Sequence, residues 1–387
     1  MNENKIEVSI VIPCLNEEVT IKQAVRESQN VLQRNNIVGE VIVADNGSDD
    51  RSVSIAQHEG AIIVNVHSKG YGNALMGGFA KASGKYIIHL DADMSYDFSH
   101  IPRYVKKLRG GADLVMGSRF KGKIYPNAMP PLHRYLGTPV LTWIANLFYK
   151  TNVTDVNCGM RGLRREIIKK LDQTCGGMEF ASEMIIKTAK LGFKIEEIPT
   201  DLRPDMRDRK PHLKTFRDGW RHLRFLLLLS PTWLFFVPGL TLMIFGLSML
   251  LMIVAKILPF FGIFTGLISM AATIIGAQII ILGVGAKKFD HINRFDIKNS
   301  WWDRLINSIN MELGILVGVL SSVIGSGVLL SSFLHINNFI NGNDYVVGSI
   351  DVNATYASLT GATLLVVGLQ VMFSSFLFGI IDIDSKS

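Results

Sequence analysis

Residues 86–93 read Tyr-Ile-Ile-His-Leu-Asp-Ala-Asp, an apolar run that closes on two acids. Similar runs rich in β-branched residues occur at Val8–Leu15, Glu40–Asp45, Ala61–Val66 and Ala112–Gly117, and this one extends over Tyr86–Asp91. Each has the length of a buried strand. The stretches between them carry helical spacing. Ile21, Ala24, Val25, Ser28, Val31 and Leu32 share one face of a helix that Asn16 is placed to cap. Tyr71–Ser83 and Ser99–Leu108 read in the same way. Alternating strands and helices predict an α/β domain with a mostly parallel sheet and right-handed crossovers. Ligands of such sheets bind beyond the carboxyl ends of the strands, so the chemistry is expected there.

The strand ends are acidic. The first continues Pro13-Cys14-Leu15-Asn16-Glu17-Glu18, and the second ends Asp45-Asn46-Gly47-Ser48-Asp49-Asp50. The fourth ends Asp91-Ala92-Asp93. Carboxylates gathered on one sheet edge repel each other unless a cation joins them. A hard divalent ion, Mg²⁺ or Mn²⁺, held by one or two carboxylates and the phosphates of a substrate, suits this edge. Asp93 is the better placed for direct ligation, and Asp91 faces either the metal or a ribose. Asp45 is placed to accept a hydrogen bond from a nucleotide base. Lys69-Gly70-Tyr71-Gly72 opens a helix and offers either a phosphate-facing turn or a plain one.

The C-terminal part has a different composition. Of 40 Lys/Arg and 33 Asp/Glu, residues 231–387 hold only 7 and 8. The first 230 residues therefore carry a net charge of +8. Four apolar stretches, about 233–255, 263–285, 313–334 and 359–381, each match the ~20 residues that a bilayer core requires. The segment 286–311 holds Lys287, Lys288, Arg294, Lys298 and Arg304, whereas 335–357 holds no Lys or Arg. The positive-inside bias puts 286–311 in the cytoplasm and 335–357 outside. Both termini and the α/β domain are then cytoplasmic. The expected domains are 1–212, an amphipathic juxtamembrane helix at 213–230 carrying Arg217, Trp220, Arg221 and Arg224, and a four-helix membrane region at 231–387. Disorder, a collagen repeat and a disulfide scaffold are excluded by composition. Cys14, Cys158 and Cys175 have no paired or zinc-like spacing and are expected to be buried thiols. The polar N-terminus is not expected to be a cleaved signal peptide.

Five segments together carry a resemblance: VSIVIPCLNEE (8–18), VADNGSDD (43–50), HLDADMS (89–95), GSRF (117–120) and DVNCGMRG (155–162). They resemble the family 2 glycosyltransferases of GT-A fold, and within them the polyprenyl-phosphate glycosyltransferases, which include dolichyl-phosphate mannose synthases and bacterial polyprenyl-phosphate glucosyltransferases. The motifs cover about residues 1–230; the four spans are similar to a membrane region that some members carry. The resemblance implies that Pro13, Asn16, Glu17, Asp45, Asp91 and Ala92 bind a nucleotide sugar. It implies that Asp91 and Asp93 hold the metal. Arg119, Arg134 and Thr138 would hold the acceptor phosphate. Asp155 would lie near the reaction centre with Arg161 close by, making Asp93, Asp155 and Arg119 the catalytic set. A basic loop, Arg203 to Lys210 and including Arg209, would close over the donor. Glu179 and Glu183, four apart on a helix, are further candidates for a base.

The expected reaction is inverting transfer of a hexose from a UDP- or GDP-sugar to polyprenyl phosphate at the cytoplasmic membrane face. A lipid phosphate is already ionised at neutral pH, since its second pKa is about 6, so it needs orientation more than a base. No nucleic acid is expected as a partner. Homo-oligomers occur among similar membrane-anchored enzymes. The processive synthases of the superfamily carry Q-x-x-R-W before their membrane helices, and this sequence has none. The rival readings are transfer to a lipid or protein hydroxyl, for which a base becomes obligatory, and a non-catalytic subunit for lipid-sugar translocation.

Overall fold

A computed structural model describes residues 6–206, 215–255, 257, 263–292, 310–341 and 352–384. Half of the basic loop, with Arg209, lies outside the described residues, as do Arg294, Lys298, Arg304 and residues 342–351. The chain divides into two compact units, Met1–Leu226 and Leu227–Ser387.

The first unit is built on a seven-stranded sheet in the order β3-β2-β1-β4-β6-β5-β7. The strands are β1 (Val8–Cys14), β2 (Gly39–Asp45), β3 (Ile62–Asn65), β4 (Tyr86–His89), β5 (Leu114–Ser118), β6 (Arg161–Arg164) and β7 (Ile195–Pro199). β1 is central and parallel to β2 and β4, with Cys14 level with Asp45. Ile10, Val11 and Ile12 are fully buried there. Burying each such side chain stabilises by about 1.5–3 kcal/mol. The chain runs from β1 through β2 to β3 on one side and returns to β4 on the other, so a crevice opens at the carboxyl edge between β1 and β4.

Two strands have no counterpart in the sequence reading. β6 and β7 are short, and their residues, Arg-Gly-Leu-Arg and Ile-Glu-Glu-Ile-Pro, lack a β-branched run. β6 is antiparallel to both β4 and β5. An antiparallel strand begins where its parallel neighbours end. The loop 155–160 that leads into β6 is thereby delivered to the acidic edge.

Helix α1 (Ile21–Arg34) buries the six predicted positions. Its N-cap is Thr20, not Asn16. Asn16 instead adopts a left-handed conformation, φ 56°, and its Oδ1 accepts the Asp49 N–H. It ties the β1 loop to the β2 loop. α2 (Ser52–His58), α3 (Tyr71–Lys81), α4 (Ile101–Arg109), α5 (Thr138–Tyr149), α6 (Arg165–Leu171), α7 (Phe180–Lys190) and α8 (Thr215–Leu228) complete the unit.

The second unit contains α9 (Val237–Val254), α10 (Ile263–Ile292), α11 (Met311–Asn341) and α12 (Val352–Asp384). Four segments are long and apolar enough to cross a membrane: Thr232–Val254, Ile263–Phe289, Met311–Asn337 and Asn353–Ile381. α11 and α12 approach closely at paired glycines. A Cβ on Gly318 would stand 2.7 Å from the Gly368 carbonyl oxygen. Small residues of this kind let membrane helices pack backbone to backbone.

Candidate active site

Asp45, at the end of β2, is buried and folds its own loop. Its carboxylate accepts the Gly47 N–H (3.0 Å), the Ser48 N–H (3.2 Å) and the Ser48 hydroxyl (2.6 Å). Asn46 brackets the next loop. Its amide donates to the Val66 and Ser68 carbonyls, and its Oδ1 accepts the Gly70 N–H at 2.6 Å. A carboxylate at 46 has no hydrogens for the first two bonds. The Gly70 and Asn73 N–H groups at the start of α3 bond to Asn46 and to the Gly176 carbonyl. Protein atoms take these donors, which favours the plain-turn reading of this segment.

Asp91 and Asp93 follow β4 in a turn. The Tyr71 hydroxyl donates to Asp91 Oδ1 at 3.0 Å, and the Ser95 N–H donates to Asp93 Oδ1 at 3.0 Å. Ala92 between them is buried, as are Glu17 and Asp93, and Pro13 lies within β1. The first part of the basic loop crosses this turn. Arg203 N–H bonds to the Ser95 carbonyl, Met206 N–H to the Asp93 carbonyl, and Arg203 pairs with Asp97 at 2.7 Å. Gly159 borders Asp91. A Cβ at 159 would stand 2.5 Å from Asp91 Oδ2, and the Gly159 N–H donates to the Tyr96 hydroxyl at 2.8 Å.

Two carboxylates two residues apart provide hard oxygen donors and fit a Mg²⁺ or Mn²⁺ ion. Among the described residues, no cluster of three or more His, Cys, Asp or Glu is built to hold a metal. The donor set is therefore incomplete by itself and matches an ion that shares its coordination with phosphates.

Arg119 and Asp155 face each other across β5 and the loop before β6. Arg119 Nε donates to Asp155 Oδ2 at 2.6 Å and Nη2 to Oδ1 at 2.7 Å. The Arg119 backbone N–H adds a third bond at 3.0 Å. Asp155 is fully buried, whereas 12% of the Arg119 side chain is exposed. Burial works against the Arg119 charge, but the Asp155 carboxylate outweighs it and raises the guanidinium pKa. A carboxylate held by a bidentate fork and a backbone N–H has little capacity left to take a substrate proton. Glu183 is committed too. It accepts the Thr174 and Cys175 N–H groups and pairs with Lys187 at 2.9 Å. Glu179 differs, because its Oε2 is buried without a hydrogen-bond partner.

Arg161 is the largest fully buried side chain. Its guanidinium donates to the Cys158, Val156 and Ala181 carbonyls, clamping the 155–160 loop to α7. His89 lies opposite it across β4 and β6. Among the described residues, neither ring nitrogen of His89 has a hydrogen-bond partner. Burial, followed by the Arg161 charge, holds its pKa well below the ordinary value. The unfolded chain protonates His89 near pH 6.5 while the fold excludes that proton, so stability is expected to fall as the pH drops below about 6.5. His89→Leu is expected to remove this contribution and add about 1 kcal/mol at neutral pH. Melting temperatures at pH 7.5 and 5.5 check it; an unchanged pH dependence in the variant contradicts it. Cys14 and Cys158 are buried thiols as expected, whereas Cys175 is half-buried; burial pushes each of the three up to about 12.

Arg119 also lines a mainly apolar cavity of about 560 Å³, with Leu136, Thr138, Leu141, Asn157, Trp220 and Leu223 among its walls. α8 is fastened over it by Ser182 Oγ to His222 Nδ1 at 2.8 Å and by the Tyr149 hydroxyl to the Leu226 carbonyl. Arg119 and Thr138 thus share one cavity. Arg134 does not line it. It lies over the Tyr135 ring, 5.4 Å from the centroid, beside a separate cavity of about 360 Å³. His133, which sequence reasoning missed, lines the Arg119 cavity instead. Burial and then the Arg119 charge lower its pKa. Also missed was α5, whose Val140, Trp143 and Leu147 form an exposed apolar stripe with Leu132 and Leu136 just before the helix.

Comparison with known proteins agrees with this architecture. Residues 9–172 match the model of glycosyl transferase family 2, and residues 284–382 match that of the glycosyltransferase family 2 C-terminal transmembrane region. The low-salt glycan biosynthesis hexosyltransferase Agl6 of Haloferax volcanii is 36% identical over 378 residues, covering 96% of this chain and 88% of its own. A dolichyl-phosphate hexose transferase of the same organism is 28% identical over 198 residues, covering 51% of this chain and 83% of its own. Glucosyl-3-phosphoglycerate synthase from Mycobacterium tuberculosis, solved with Mn²⁺ and UDP-glucose, is 22% identical. It covers 57% of this chain and 78% of its own, with a TM-score of 0.47. The chain belongs to glycosyltransferase family 2 and carries that family's C-terminal transmembrane region.

Proposed function

We propose that the enzyme transfers one hexose from a nucleotide-diphosphate sugar to polyprenyl phosphate, with inversion, at the cytoplasmic face of the membrane. The observation that carries this reading is Arg119, a cation set in the wall of a mainly apolar cavity on the same sheet edge as Asp91 and Asp93. An ionised head on a long hydrocarbon chain has the matching chemistry. The names of the two Haloferax relatives, a hexosyltransferase and a dolichyl-phosphate hexose transferase, support the same substrate class. The exposed stripe of α5, together with Trp220 on α8, suits a face that lies against lipid headgroups.

In this reading Asp45 orients the nucleotide, and Asp91 and Asp93 hold the divalent ion. When bound, that ion neutralises charge on the leaving diphosphate. Arg119, fixed by Asp155, orients the acceptor phosphate with the donors that Asp155 does not occupy. One phosphate oxygen attacks the anomeric carbon as the bond to the diphosphate breaks; no proton has to be removed from it. The cations of 286–311, among them Lys287 and Lys288 at the end of α10, support a cytoplasmic catalytic unit.

Arg119→Lys keeps the charge and loses the planar fork. It is expected to raise the KM for polyprenyl phosphate about tenfold, with nucleotide-sugar binding unchanged within about twofold. Steady-state kinetics and a donor titration check this, and an equal weakening of donor binding contradicts the acceptor role. Glu179, with its unpartnered buried oxygen, favours a second reading in which a hydroxyl acceptor gives up its proton there. Loss of turnover in Glu179→Gln would favour that alternative.

A further inference from the structure

We propose that Asn157 is a second donor to the acceptor phosphate, working beside Arg119. The inference rests on the phosphate-acceptor reading above and adds a residue to which the sequence patterns assign no role. Asn157 stands between Asp155 and Gly159 in the loop before β6 and lines the Arg119 cavity with Thr138 and His133. Its backbone N–H donates to Asp155 Oδ1 at 3.2 Å, so its position is tied to the Arg119–Asp155 pair. Among the described residues, the side-chain amide makes one long contact, Nδ2 to Thr138 Oγ1 at 3.5 Å, and its buried Oδ1 has no partner.

The Nδ2 group uses at most one of its two hydrogens on Thr138 Oγ1, across that long contact, and leaves a neutral donor in the wall beside Arg119. Arg119 uses Nε and one Nη2 hydrogen on Asp155, which leaves Nη1 and the second Nη2 hydrogen. A phosphate monoester has three non-bridging oxygens. The guanidinium takes one, the Asn157 amide takes a second, and the third is left to attack. A neutral amide fixes an oxygen without adding a second positive charge that would quench its nucleophilicity.

Three variants of the full chain, purified in detergent, test this with polyprenyl phosphate and the nucleotide sugar that the wild type turns over. Asn157→Leu, which keeps the branched shape without a hydrogen-bonding group, is expected to raise the acceptor KM about tenfold, the worth of one hydrogen bond to a charged group. The donor KM should stay within about twofold. Asn157→Asp places an anion against the phosphate and is expected to raise the acceptor KM by about 100-fold. Asn157→Thr restores a hydroxyl donor and is expected to return it to within about threefold of wild type. If Asn157→Leu leaves the acceptor KM unchanged while Arg119→Lys raises it, the Asn157 role is overturned and the phosphate site stands. If neither moves it, the acceptor is held elsewhere and both readings fall. Should Asn157→Leu not fold, an unchanged acceptor KM in folded Asn157→Asp overturns the role by itself.

Discussion

Asp93→Asn is expected to reduce transfer by about 10³-fold while leaving the fold intact. The substitution is nearly isosteric, and an amide oxygen still accepts the Ser95 N–H that the carboxylate now accepts at 3.0 Å. What is lost, on the proposed reading, is the charge that would draw a divalent ion to the end of β4. An ion across the diphosphate neutralises the leaving group and stabilises the transition state by several kcal/mol. Removing one preorganised electrostatic contributor in an active site typically costs 10²–10³ in rate, so loss of a ligand and its charge belongs at the upper end. Saturating Mg²⁺ or Mn²⁺ should recover only part of the loss. A variant that keeps more than about a tenth of wild-type turnover, with the same metal dependence, would remove Asp93 from the metal site. A chain whose function in cells survives Asp93→Asn unaltered would revive the translocation reading.

The largest effect on stability is expected from Arg119→Ala. Asp155 is fully buried, and Arg119 answers both of its oxygens. Taking away one partner of a buried pair leaves an uncompensated charge and costs about 3–5 kcal/mol. That is a large fraction of the roughly 5–15 kcal/mol that holds a domain folded. Asp155→Asn should cost less, because Arg119 retains a route to water through its 12% exposed side chain. Replacing both residues by Leu should recover part of the loss seen in Arg119→Ala. Thermal unfolding of the four proteins in one detergent checks the order. Equal melting temperatures for Arg119→Ala and wild type would mean that the pair does not hold the loop.

The acidic edge was legible because its signals are local. β2 is an apolar run that ends in Asp45, β4 is one that runs on into Asp91 and Asp93, and both are parallel to β1 between them, so their ends share one edge. The apolar spans were legible from length alone, and they agree with four long helices. The Arg119–Asp155 pair was not legible, although both residues were singled out. They are 36 positions apart, and they meet because β6 enters antiparallel between β4 and β5. Nothing in Arg161–Arg164 announces a strand, since its residues have no strong β propensity. Asn16 was misassigned for a related reason. An asparagine before a helical pattern reads as a cap, but its side chain is used 33 residues away, on the β2 loop. The place of His133 in the Arg119 cavity depends on which way a single helical turn faces, and an Arg next to it drew the assignment.

The chemistry is tested most directly by a transfer assay on the purified chain in detergent. UDP- and GDP-hexoses are offered with polyprenyl phosphate, and separately with polyprenol or diacylglycerol, each with Mg²⁺, Mn²⁺ or a chelator. Metal-dependent formation of a polyprenyl-phosphate-hexose from one of the donors is the predicted result. A donor that binds but passes its sugar only to a hydroxyl lipid would contradict the phosphate-acceptor claim and move Glu179 to the centre of the mechanism.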